Sequence, residues 1–224
     1  MYGILKLFSI FKRLNIRSLL ALAGMAGPVV LVVGELVAAL SSQKYDILND
    51  SISSLALTRL GWVQTIGFLA IGLLMEIFVA GLLFNIRRAR GFHLGIGVLV
   101  FFGFGLLLLG AFRTDPVGVP DTTEGTIHTI AATIVFWLFP LAVLLIAPSI
   151  KKDPSWHGLF KYTIVTGILA FALVLLVGFL EDTTSYFGLA ERVLALNMIV
   201  WVEVTAIRLL RLSLNRPQRA EEMA

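Results

Sequence analysis

Residues 93–112 read HLGIGVLVFFGFGLLLLGAF, twenty positions without an Asp, Glu, Lys or Arg. As a helix, a run of that length crosses the roughly 30 Å hydrocarbon core of a bilayer. Charge brackets it on both sides: Arg87-Arg88-Ala89-Arg90-Gly91 before it and Arg113-Thr114-Asp115-Pro116 after it. Reading outward, five more runs of the same character lie at about 18–40, 61–86, 126–148, 159–180 and 189–210. The composition agrees, with 58% hydrophobic and 14% charged residues and a mean hydropathy of +0.93. Soluble chains carry about 45–50% apolar and roughly 25% charged residues. The expected fold class is therefore all-α, a polytopic membrane protein built as a six-transmembrane-helix bundle. Residues 1–17 read as a cytoplasmic interfacial segment, 18–210 as the membrane domain and 211–224 as a cytoplasmic tail. With no cysteine there is no disulfide framework, thiolate ligand or cysteine nucleophile.

Basic residues set the orientation. Fourteen of the eighteen Lys and Arg fall on one side of a six-span arrangement, and only Lys44, Arg59, Arg113 and Arg192 on the other. The connections are short enough for the positive-inside rule, which places both termini in the cytoplasm of a cell bounded by this plasma membrane. The same bias explains a pI near 9.6 without a nucleic-acid partner. Val37-Ala38-Ala39 resembles a leader-cleavage site, but the apolar run before it is too long for a leader and Glu35 intrudes, so six spans are kept. Ile4, Phe8 and Phe11, with Lys12 and Arg13 beside them, read as an interfacial helix ahead of the first span.

The cytoplasmic connections are plain, whereas the outer ones carry the chemistry. In the first outer loop, Asn49, Asp50 or Ser51 can cap a short interfacial helix whose apolar side is Ile52, Leu55, Ala56 and Leu60. Arg113 suits a helix C-terminus and Asp115 does not; Glu181-Asp182 is likewise unfavourable at such an end unless a cation such as Arg192 answers it. Glu124 and His128 share a helical face. One face thus gathers Tyr45, Asp50, Ser51, Ser53, Ser54, Arg113, Asp115, Glu124, His128, Glu181, Asp182, Glu191 and Arg192. Two readings compete: ion pairs and caps that tie helix ends together, or a polar pocket beneath residues 45–60. In a pocket, Arg113 and Arg192 would pair an anionic group while Tyr45, Asp50 and Glu191 complete the ligand-binding set. The residues leave enzyme and binding protein both open. An enzyme would use His128 as general base, Asp115 as its orienter or a metal ligand, and Ser53 as nucleophile or donor. A divalent ion is conceivable there, although the paired histidines of a zinc helix are absent and no cofactor is firmly implied.

Within the spans, Glu76 lies deepest, with Glu35 and Glu203 nearer the ends. An ionisable group at such depth is a functional candidate by default, so a proton- or ion-coupled carrier using Glu76 is the second class. Span three holds Gly91, Gly95, Gly97, Gly103, Gly105 and Gly110, which reads as the central, crowded helix, or as the face of a non-catalytic subunit that meets a partner membrane protein. Gly27-Pro28 and Pro140 read as kinks. Trp62, Trp156, Tyr162 and Tyr186 read as interface anchors, Trp137 and Trp201 as interior. Haem is excluded because the three histidines do not face one another at one depth, and there is no mid-span lysine for retinal.

Tyr45-Asp46, Asp50-Ser51-Ile52-Ser53-Ser54-Leu55, the glycine-rich third span ending Gly110-Ala111-Phe112-Arg113-Thr114-Asp115-Pro116, His128, and Gly188-Leu189-Ala190-Glu191-Arg192 leading to Trp201 together resemble a prokaryotic six-helix membrane family catalogued as domain of unknown function 998. The likeness runs from about Gly24 to Leu210 and implies the fold and topology. Its pattern falls on Tyr45, Asp50, Ser53, Asp115, His128, Glu191 and Arg192. A looser likeness to the intramembrane hydrolases that include alkaline ceramidases would give Ser53, Asp115 and His128 three of that superfamily's parts. Its late His-x-x-x-His pair is missing here, where Ala195-Leu196-Asn197 and Trp201-Val202-Glu203 stand. The expected ligand is a membrane lipid headgroup or small polar molecule, bound by the pocket, with its hydrolysis left open.

Overall fold

A computed structural model describes residues 15–181 and 185–215. The interfacial helix expected near Ile4, Phe8 and Phe11, and the position of Asp182, lie outside them. Six long helices account for most of the described chain: α1 (Ile16–Leu40), α2 (Gly61–Asn85), α3 (Phe92–Ala111), α4 (Thr123–Lys152), α5 (Phe160–Glu181) and α6 (Phe187–Leu214). All six are long and apolar enough to cross a membrane, and no strand occurs among the described residues. Large apolar side chains cover the outside, Phe179 at 73% and Phe101 at 66% exposure, as lipid contact demands and water would not permit.

Each helix packs against its neighbour in sequence, and α6 closes back on α1. The bundle is therefore a ring. Span three, expected at the centre, is instead a ring member whose principal neighbours are α2 and α4. It is crowded all the same. A methyl added at Gly95 would meet Ile146 at 2.7 Å, at Gly110 Leu69 at 2.7 Å, and at Gly103 the Glu76 carboxylate at 2.5 Å. Small residues let the backbones close up, so these glycines serve the chain's own neighbours.

Capping explains several helix ends. Asn15 Oδ1 accepts the Ser18 N–H at 3.0 Å, starting α1. Asp115, awkward at the end of α3, serves the start of α4: it accepts from Thr122 N–H at 2.7 Å and Thr122 hydroxyl at 2.9 Å. Thr122 in turn accepts from Gly125 N–H at 3.1 Å. A carboxylate near a helix N-terminus meets the positive end of its dipole. α4 runs past its expected stop to Lys152 and contains both Pro140 and Pro148, while α1 runs through Pro28.

The end of the bundle opposite residues 41–60 is less plain than its charges suggested. Buried Asp153 accepts from Arg87 N–H and Ser155 N–H, both at 2.8 Å. Ser149 hydroxyl accepts Ala89 N–H at 2.9 Å. Trp156, expected as an interface anchor, is fully buried and donates to Asn85 C=O at 3.1 Å. Trp137, expected inside, is 42% exposed beside Phe171; Trp201 is fully buried.

Candidate functional site

At the end carrying residues 41–60, the first connection folds onto the start of α6. Its short helix is a single 3-10 turn, Ser53–Leu57, with Ile52 and Leu55 turned inward. Asp46 organises the turn before it, accepting from Leu48 N–H at 2.9 Å and from the Asn49 amide at 2.7 Å. Those donors, the Asn49 side chain foremost, hold the Asp46 carboxyl below the usual aspartate range. Asp50 Oδ2 accepts Asp46 N–H at 2.8 Å. Three bonds then cross to α6: Leu189 N–H to Leu48 C=O at 3.0 Å, Tyr186 N–H to Asn49 Oδ1 at 2.9 Å, and Ile52 N–H to Glu191 Oε2 at 2.7 Å.

Arg192 is the hub of this contact. Nε pairs with Glu35 Oε1 of α1 at 2.9 Å. Nη1 reaches the carbonyls of Ile47, Asp50 and Gly188 at 2.9, 3.0 and 2.9 Å. Nη2 donates to the Tyr45 hydroxyl, and the guanidinium lies 5.5 Å from the Tyr45 ring centre. The Tyr45 hydroxyl itself donates to Ser51 C=O at 2.8 Å. Burial pushes the Tyr45 phenol up to about 12, outweighing the nearby Arg192. The loop approaches so closely that only glycine fits at 188, where a methyl would collide with the Asp50 carbonyl. Arginine's fixed fork suits such multiple carbonyls in a way lysine cannot. Arg192, Tyr45 and Asp50 thus converge, but on one another.

Beneath this plug the ring encloses a cavity. Its empty volume is about 810 Å³, counting the space at its open side. α1, α2, α3, α4 and α6 line it, together with Ile52 and Ser53 of the plug. On α6 the lining residues Glu191, Ala195, Met198 and Val202 form one helical stripe, about 16 Å long at 1.5 Å per residue. The pocket expected to be polar is apolar except for Ser53 and Glu191. Glu191 is 7% exposed; its Oε1 has no hydrogen-bond partner among the described residues, and neither does the Ser53 hydroxyl. Phe102 and Phe139, 5.5 Å apart, and Trp201, 5.8 Å from Phe139, stack in the same interior.

The remaining expected site residues stand elsewhere. His128 is buried against α3, Nδ1 hydrogen-bonded to Phe112 C=O at 2.8 Å, and its Nε2 is buried without a partner among the described residues. The carbonyl accepts, so Nδ1 carries the proton. Asp115 is engaged with Thr122 rather than His128, and Arg113 is exposed. None of these three lines the cavity. No group of three or more metal-ligating side chains is found among the described residues. Glu76 sits over Gly103 between α2 and α3, its Oε1 buried and without a hydrogen-bond partner among the described residues, also off the cavity. Sequence reasoning passed over Gln64, fully buried with both amide atoms unpartnered among the described residues. A lone amide four residues into an apolar span was the available signal.

No curated protein and no solved structure matches the chain. The family described as protein of unknown function DUF998 matches residues 25–208, which take in the six helices apart from the start of α1 and the end of α6, the plug, and the cavity lining apart from Ala23 and Gly24. The chain belongs to that family.

Proposed function

We propose that this protein binds a membrane lipid or similar amphiphile, taking an apolar chain into the ring and holding the polar head at Ser53 and Glu191. The cavity carries this reading: a long apolar lining from five helices, ended by the Ser53 hydroxyl and by the Glu191 carboxylate, which keeps one oxygen unbonded among the described residues. Such pockets, mostly apolar with a few placed polar groups, are the usual form of a small-ligand site. The basic-residue bias supports a plasma-membrane setting with both termini cytoplasmic, which puts the plug and the head site at the outer leaflet, the 3-10 turn at headgroup level. His128, Asp115 and Arg113 then act in the α3–α4 connection, and the reading is one of binding rather than hydrolysis.

Photolabelling tests it. Purified protein in phosphatidylcholine nanodiscs is irradiated with a diazirine-bearing long-chain alcohol, and the cross-linked residues are mapped. Ala195, Met198 and Val202 should label, and Ala195→Trp, which fills the space, should remove that label. Label confined to the outward residues Leu196 and Val200, unaffected by Ala195→Trp, refutes the proposal.

A further inference from the structure

A bilayer already solvates an alkyl chain as well as an apolar cavity does, so there is no hydrophobic gain for the tail in moving between them. Selection therefore falls to the head. At the polar end of the cavity stand the Ser53 hydroxyl and the Glu191 carboxylate, of which Oε2 is committed to Ile52 N–H at 2.7 Å and Oε1 is uncommitted among the described residues. Arg192 lies close enough to act on Glu191 through space, but no cation is hydrogen-bonded to Glu191 or Ser53 among the described residues. The guanidinium of Arg192 is spent on Glu35, Tyr45 and three carbonyls. Arg113 is exposed, and His128 Nδ1–H donates to Phe112 C=O; neither lines the cavity.

From this we infer that the site selects single-chain amphiphiles whose head donates a hydrogen bond, long-chain alcohols or amines, and rejects the corresponding carboxylates. The inference rests on the lipid-site reading above and adds the ligand class to it. A donor head donates a hydrogen bond to Glu191 Oε1 and can accept from or donate to Ser53. A carboxylate brings a second anion to a nine-tenths-buried acid whose neighbouring cation, Arg192, is already paired with Glu35, an arrangement that is costly in a low-dielectric site.

The test is competition against the photolabel by 1-dodecanol, dodecylamine and laurate, each expressed per membrane lipid, at mildly alkaline pH where laurate is ionised. Dodecanol and dodecylamine should each displace the cavity label about tenfold more effectively than laurate, the worth of one hydrogen bond to a charged group. Glu191→Gln, which can still accept from Ile52 N–H while offering its own donors, should bring laurate within about threefold of the alcohol. Ser53→Ala should weaken dodecanol and leave the order unchanged. Amine and alcohol competing equally means that donation suffices, and an advantage for the amine means that Glu191 is charged. Laurate competing as well as dodecanol in the wild type overturns the inference while the cavity label persists and the lipid-site reading stands. Absence of any cavity label overturns both.

Discussion

Replacing Arg192 with lysine keeps the positive charge and removes the fork. The ammonium can still meet Glu35, but it cannot also hold the Ile47 and Asp50 carbonyls and the Tyr45 hydroxyl. Hydrogen bonds from a charged donor are each worth about 1.5–3 kcal/mol net. Three are at stake between plug and α6; because the plug is only half-buried, water recovers part of the loss, and roughly 3 kcal/mol is expected. The Arg192 and Glu35 side chains are 15% and 21% exposed, so solvent screening does not erase the ion pair. At about 1.36 kcal/mol per tenfold, the opening equilibrium of the plug should rise roughly 150-fold. Hydrogen exchange in nanodiscs reads this directly. The amides of Ile52 and Leu189, bonded to Glu191 and to Leu48 C=O, should exchange about 100-fold faster, while those in the middle of α3 stay protected. Glu35→Gln removes a single pair and should accelerate them by about tenfold or less. Exchange at Ile52 and Leu189 that is unmoved by Arg192→Lys, or moved more by Glu35→Gln, would refute the assignment of Arg192 as the hub.

Gly103→Ala should destabilise the α2–α3 contact by about 1 kcal/mol because the new methyl meets Glu76 Oε1, and the cost should vanish in the Glu76→Ala background, as denaturant titration of both variants will show. In an ultraviolet pH titration, Tyr45→Phe should delete one phenol that titrates near pH 12. The folded state favours the protonated phenol, so its contribution to plug docking is complete below pH 10 and lost as the pH climbs from 10 to 12; a deleted phenol that titrates at 10 contradicts this. Asp153→Ala strips acceptors from Arg87 N–H and Ser155 N–H at a buried site and should cost about 2–3 kcal/mol, measured as a fall in thermal midpoint that Asp153→Asn partly restores.

The helices were legible because their apolar runs are long and charged residues such as Arg113 and Lys151 mark the ends. The site was legible only in its members. Asp115 looked misplaced because its partner, Thr122, lies across a tight connection that no helical period reveals. The Glu35–Arg192 pair joins the first and last helices, and nothing in the local spacing of either residue announces the other. The polar character expected of the pocket failed for a deeper reason. In a soluble helix the inward face differs in polarity from the outward one, but here Met198 faces a cavity and Val200 faces lipid, and both are apolar. Amphipathic periodicity therefore carries no information about which side is inside. Ser53 and Glu191 were named as candidates, but their isolation in an otherwise apolar cavity belongs to tertiary structure.

Closure of the ring by α6 against α1 has a consequence for biogenesis. The seam is fastened near one end by Ser18 and Ser213 hydroxyls at 2.9 Å and near the other by Glu35 and Arg192. α1 is the first of the six helices to leave the ribosome and α6 the last, so the interior stands open to lipid throughout insertion and is sealed only at the end of synthesis. Any molecule that occupies the ring can enter sideways from the bilayer while the seam is unmade, without passing the plug. On the lipid-site reading, loading during assembly and loading of the finished protein would be separate routes, and a seam that parts later would reopen the first.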